Sequence, residues 1–220
     1  MTPGTSPAIL VLSGWRAWPF LSRVLARELR KRLGMPPGDP AILPMSFQDC
    51  STISACVERA VTRCHAHFGP DAPLQIVAVS MGGLIARKAI LDGHHGARLR
   101  ATRLFTLATP HRGASLARYV RLDSAARDMK PGSDFLRDLN TRDTAATRPY
   151  ELVCYARLGD MWVGSTNAAP PGMDPIWVSW QPLSPSHLAI SRDTRIIDDI
   201  AARIMGKEPL LKPNGPPPRD

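Results

Sequence analysis

At Leu74–Arg87 an apolar run passes into a helical pattern with almost nothing between them, and this junction limits the fold more than any other stretch. Leu74-Gln75-Ile76-Val77-Ala78-Val79 has the length and continuity of a strand buried on both faces, and Gly82 to Leu91 carries helical spacing. Only Ser80 and Met81 separate them, so the chain must reverse within a residue or two. Strand and helix then pass close together at the positions flanking the turn, which demands small side chains there. Ala78, Gly82 and Gly83 meet that demand. Ser80 itself is pushed into a strained conformation, clear of the sheet, where its hydroxyl is exposed to chemistry. The alternative is a plain strand–turn–helix in which Ser80 caps the helix.

The rest of the chain repeats the strand–helix alternation. Ala8–Leu12 is a short apolar run ended by Ser13-Gly14. From Ala17 to Leu33, residues Phe20, Leu21, Val24, Leu25, Leu29 and Leu33 recur at helical spacing, and Gly34 closes the segment. Ala41-Ile42-Leu43 is a second strand; Ile53, Val57, Ala60, Val61 and Cys64 mark a helix face; Arg103–Leu107 is a fourth strand. Parallel strands need crossover helices, so this order predicts an α/β fold: a three-layer α/β/α sandwich around a mostly parallel sheet. Residues 114–149 lack strand signals and read as a helical, lid-like insertion broken by Pro131-Gly132. Strands return at Glu151–Arg157 and Ile176–Val178, and a last helix runs from Thr194 to Met205. A single domain over residues 1–206 is expected, followed by a disordered tail, 207–220, on the strength of its Pro-Asn-Gly-Pro-Pro-Pro.

Bulk properties narrow the function classes. The 220 residues are 44% hydrophobic and 21% charged, which fits a globular domain. No apolar run approaches the roughly 18 residues of a membrane span. The first residues lack a basic n-region and Ala8–Leu12 is strand-sized, so a cytoplasmic protein is expected. The net charge of +9 comes from arginines spread singly between apolar residues, without a nucleic-acid motif. They predict a solvated surface and no nucleic-acid partner. Cys50, Cys56, Cys64 and Cys154 form no CxxC pair and read as buried thiols. The sequence leaves the oligomeric state open.

Four stretches together resemble the α/β-hydrolase lipase/esterase family. They are the first strand ending in Ser13-Gly14-Trp15, the Ala78–Gly83 turn, the Thr109-Pro110-His111-Arg112-Gly113 segment, and Met129–Asn140, similar to the lid-side segment. The likeness runs from about Ala8 to about His187. Two departures stand out: Ala78 replaces the first glycine of the usual G-x-S-x-G, and Ser13 replaces a histidine that normally organises the oxyanion loop.

The resemblance implies a Ser–acid–His order along the chain. Ser80 would be the nucleophile. Of the six histidines, His187 lies in a loop well downstream and is the expected base, with His111 as rival in a structural or substrate-side place. Asp160, in the turn after Glu151–Arg157, is the expected acid; Asp174, in a proline-rich turn, is the runner-up. The backbone N–H groups of Trp15 and Met81 would form the oxyanion hole. Trp18, His111 and Trp162 are candidate pocket or lid residues. Leu116, Tyr119, Val120, Leu122, Met129, Phe135 and Leu136 give the insertion an apolar side, over a pocket or against the core. Trp177 and Trp180 are expected around the last strand.

The implied activity is hydrolysis of a small-molecule carboxylic ester through an acyl-enzyme, with no cofactor and no metal. A thioesterase or acyltransferase with the same triad, and a non-catalytic binding protein of this fold, are the alternatives.

Overall fold

The computed structural model describes residues 7–116, 124–144, 146–181 and 186–218. Six strands form one sheet: β1 (Ala8–Trp15), β2 (Ile42–Phe47), β3 (Leu74–Val79), β4 (Ala101–Leu107), β5 (Glu151–Arg157) and β6 (Ile176–Val178). Their order is β2-β1-β3-β4-β5-β6, and every pairing is parallel. The helices are α1 (Pro19–Leu33), α2 (Ile53–Phe68), α3 (Met81–Leu91), α4 (Ser124–Asp128), α5 (Asp134–Arg142), α6 (Ser186–Ala189) and α7 (Thr194–Ile204).

The continuous apolar runs are explained by two cores. Successive strand side chains point to opposite faces. Leu10, Leu12, Ile76 and Ala78 join a core with α2 and α3, while Ile9, Val11 and Val77 join a second core with α1 and α7. Each fully buried Leu or Ile contributes about 1.5–3 kcal/mol. α1 ends at Gly34, whose φ of 67° lets its N–H and that of Met35 turn back onto the last carbonyls of the helix. The insertion folds as α4 and α5 on either side of Pro131-Gly132, with no strand among its described residues. Tyr119, Val120 and Leu122 lie outside the described residues.

The two sheet edges are handled differently. β2 carries Pro44 opposite Val11, a residue tolerated on an edge because the outer side needs no ladder bond. β6 is covered by part of the C-terminal segment. The Asn214 side chain accepts from Trp177 N–H at 3.2 Å and donates to Trp177 C=O at 2.9 Å, and the Trp177 indole donates to Gly215 C=O at 3.2 Å. Upstream, the buried Asp199 carboxylate accepts from the N–H groups of Leu210 (2.6 Å) and Leu211 (2.9 Å) as well as from the Tyr155 hydroxyl (2.6 Å). Side-chain bonds thus fix a segment whose composition alone suggests coil. Among the described residues, no helix is long and apolar enough to cross a membrane.

Candidate active site

The sheet changes direction between β1 and β3: the chain builds outward to β2 on one side and to β4, β5 and β6 on the other. Ligand crevices in open parallel sheets form at such points, outside the carboxyl ends of the strands. Ser80 sits there. It leaves β3 with φ 54° and ψ −127° and caps α3. A positive φ at a non-glycine residue costs on the order of 1–3 kcal/mol and persists only when the surroundings impose it. They do: Ser80 N–H donates to Leu107 C=O at 2.8 Å, and its own carbonyl accepts from the Thr109 hydroxyl at 2.8 Å and from Gly83 N–H at 3.1 Å.

The small residues are required by contact. A Cβ on Gly82 would stand 2.7 Å from Ser13 C=O, and one on Gly14 would stand 2.9 Å from Ser80 Cβ. Gly83 packs directly on Thr109, so the Thr109-Pro110-His111 segment braces the turn from behind.

The β1–β2 register breaks between Leu12 and Trp15, and Gly14, inside that break, lies against Ser80. Met81 opens α3, so its N–H belongs to the first turn, where amides have no intrahelical acceptor and the helix dipole is positive. The Ser13 hydroxyl is buried and makes no hydrogen bond with the described residues.

Asp160 follows β5 and is 2% exposed. Its Oδ1 accepts from the N–H groups of Trp162 (3.0 Å) and Val163 (3.1 Å), which fixes the carboxylate and leaves Oδ2 for His187 Nδ1 at 2.9 Å. An ionised carboxylate only accepts, so Nδ1 carries the proton of this bond, and in the neutral ring Nε2 is the nitrogen with the lone pair. The Trp162 ring stacks on His187 at 5.1 Å and 22°. His187 stands on the single turn α6, pinned by the Ser186 hydroxyl donating to Leu158 C=O at 2.7 Å. Asp174 is exposed in the turn before β6 and does not bond His187.

Ser80 and His187 line one cavity of about 470 Å³ with Trp15, Trp18 and Trp162. The insertion contributes Leu116 and Met129 to its wall, whereas Leu136 is buried and Phe135 half-buried against the α2/α3 core.

His111 does not line the cavity, which corrects its place among the candidate pocket residues. It is wholly buried behind the elbow. Arg87 Nη1 donates to His111 Nδ1 at 3.1 Å, since a guanidinium only donates, so Nε2–H donates to Thr106 Oγ1 at 3.1 Å. Burial, reinforced by the charges of Arg87, Arg148 and Arg112, holds the imidazole well below its ordinary pKa and keeps it neutral. Arg87 is also wholly buried and pairs with Asp143 at 2.5 Å; Asp143 accepts in turn from Arg148 Nε (3.0 Å) and the Tyr150 hydroxyl (2.6 Å). Asn140 joins Arg87 (2.9 Å) to the His111 carbonyl (2.8 Å). This network ties α3 to α5 and to the Thr109–Gly113 loop. One sequence signal could have found it, although the arginines were expected on a solvated surface: Arg87 falls among Leu84, Ile85, Ala86, Ala89 and Ile90 on a helix buried nearly all round, where an arginine needs a partner.

No family model matches the chain, and no curated protein matches it in sequence. Solved structures match it in fold. The mature lipase BlEst2 of Bacillus licheniformis aligns with a TM-score of 0.62 at 17% identity, over 91% of each chain. The metagenomic carboxyl esterase MGS0156 gives 0.61 at 14% identity, over 92% of this chain and 77% of that one. Phospholipase PlaB from Legionella pneumophila, in complex with thio-NAD, gives 0.54 at 19% identity over 69% of this chain, which spans only 38% of that protein. At such identities the likeness is one of architecture: the chain has the α/β-hydrolase fold found in lipases and esterases.

Proposed function

We propose that the chain is a serine hydrolase that cleaves carboxylic esters through an acyl-enzyme. The observation that carries the reading is the Asp160–His187 hydrogen bond of 2.9 Å, with His187 on the wall of the same cavity as the strained Ser80. A serine hydroxyl is a weak nucleophile until a base takes its proton. His187 Nε2, with Nδ1–H held by Asp160, is that base. Ser80 Oγ attacks the ester carbonyl, and the Trp15 and Met81 amides receive the oxyanion. His187 then gives its proton to the departing alcohol. Water, deprotonated by His187 in its turn, releases the acid and restores Ser80. Sharing a fold with a lipase and a carboxyl esterase supports ester hydrolysis.

Labelling by a fluorophosphonate probe tests the reading, with Ser80→Ala as control. Stoichiometric labelling of the native chain, lost in Ser80→Ala, is expected; folded native protein that resists the probe overturns it. p-Nitrophenyl esters of rising chain length, run beside acyl-CoA, separate an esterase from a thioesterase.

A further inference from the structure

Resting on that reading of the site, we infer that the ester carries a free hydroxyl a few bonds from its carbonyl, in the acyl chain or in the alcohol, and that the Ser13 side chain binds this hydroxyl. Ser13 lines the cavity and is 3% exposed. Its Oγ is buried, yet makes no hydrogen bond with the described residues. Most buried side-chain polar atoms have a partner, and one without it weakens the fold. An alanine would fill this place without that penalty. The hydroxyl is therefore kept for a partner from outside the chain, and the cavity is where such a partner enters.

The surroundings define the partner. Ile9 and Val11 of β1 face the core shared with α1 and α7. Strand alternation carries Ser13 to the same side, where Leu21 and Ser22 of α1, Val79 and Ser191 also line the cavity. Two of these are serines whose protons are engaged in their own turns: Ser22 Oγ donates to Pro19 C=O at 3.1 Å, and Ser191 Oγ to Leu188 C=O at 3.4 Å. Each still has lone pairs to offer. Ser13 has both its proton and its lone pairs. A substrate hydroxyl, which donates and accepts, matches this set, whereas a carbonyl or ether oxygen uses only the Ser13 proton. Ser13 stands two residues before Trp15, about 7 Å along the strand. Gly14, between them, lies against the nucleophile, a Cβ there falling 2.9 Å from Ser80 Cβ. A carbonyl seated at the Trp15 N–H therefore leaves room for only a few bonds between the ester and the hydroxyl. The chemistry stays hydrolytic: one water enters, the acid and the alcohol leave, and the recognised hydroxyl is untouched.

Two isosteric pairs of esters, followed by titration of the released acid, test this. Methyl 3-hydroxybutanoate against methyl 3-methylbutanoate places the hydroxyl in the acyl chain, and 2-hydroxyethyl butanoate against propyl butanoate places it in the alcohol. The native enzyme is expected to show kcat/KM about tenfold higher for the hydroxyl member of one pair, the size of one hydrogen bond, and that pair identifies the side. Ser13→Ala should bring the ratio close to one, with Tm held or raised because no bond within the chain is lost. Ser13→Cys, close in volume and a poor donor, should do the same. Turnover of the esters without preference in either pair overturns this inference and leaves the esterase reading standing. A preference that survives in Ser13→Ala overturns it too, as does a clear fall in Tm in both variants, the mark of a purely structural side chain. No turnover of any of the four esters overturns both.

Discussion

Asp143→Asn removes one carboxylate from the centre of the buried network and leaves the cations around it in place. In the native chain Arg87 and Asp143 are both wholly buried and 2.5 Å apart, with Arg148 only 6% exposed on the other carboxylate oxygen. The asparagine side chain keeps the volume. It loses the charge, and it turns one acceptor into an amide donor that faces Arg148 Nε on one side or Arg87 Nε and the Tyr150 hydroxyl on the other. Removing one partner of a buried pair costs about 3–5 kcal/mol, because the remaining charge can neither reach water nor find another counter-ion. Two guanidiniums share this carboxylate, which places the expected loss at the upper end of that range. A chain of this length shifts its Tm by about 2–4 °C per kcal/mol, so a fall of about 10–20 °C is expected. Urea unfolding at neutral pH measures the same loss directly. The double variant Arg87→Met/Asp143→Leu removes both charges and should be more stable than Asp143→Asn. A loss below about 1 kcal/mol in Asp143→Asn, or a double variant no better than the single, refutes the claim that the pair acts as a mutually compensated buried unit.

Three further outcomes follow from the same geometry. Asp160→Asn keeps an acceptor for the Trp162 and Val163 amides but presents a donor to His187 Nδ1, which forces the wrong tautomer; kcat should fall by about 10⁴, and a loss under tenfold contradicts the proposed role. Thr109→Val strips the hydroxyl from the Ser80 carbonyl and should cost about 1–2 kcal/mol in chemical denaturation, while Thr109→Ser should recover most of it. His111 is held below its ordinary value of 6.5, so the unfolded chain takes up a proton that the folded chain refuses. Its contribution is full above pH 6.5 and is lost as pH falls, at up to about 1.4 kcal/mol per pH unit; His111→Gln should flatten the stability profile between pH 6.5 and 5, and parallel profiles for the two proteins would rule this out.

What the sequence revealed tracks how local each signal is. All six strands were visible because both faces of a parallel sheet are buried, which turns each strand into a short apolar run such as Leu74–Val79. The elbow was visible because steric crowding acts on neighbours in the chain: Ala78, Gly82 and Gly83 lie within three residues of Ser80. Asp160 and His187 were reached through the family order, and their contact could not be read from either residue alone. Which of its two expected places, structural or substrate-side, His111 takes was not legible because two of its partners, Arg87 and Cys154, come from α3 and β5, far from it in sequence. The bonds of the C-terminal segment are non-local in the same way. Prolines and a glycine suggest coil, but Asp199 and Asn214 supply backbone partners from outside any regular element.

The parallel order of the sheet also bears on how this site comes into being. Trp15, Ser80, Asp160 and His187 each follow or end a different strand, and those strands are joined only through crossovers that run the length of the domain. A β1–β3 ladder that pairs Ala8 with Leu74 must wait for α1, β2 and α2 to be threaded between them. Loop closures of that kind are slow and yield no reward until the distant strand arrives. Half a sheet therefore lacks part of the residue set that lines the cavity, and the Ser80 amide has its Leu107 acceptor only where β4 lies beside β3. On the proposed reading, hydrolysis needs the whole sheet assembled, because strands from both halves of the chain supply its residues.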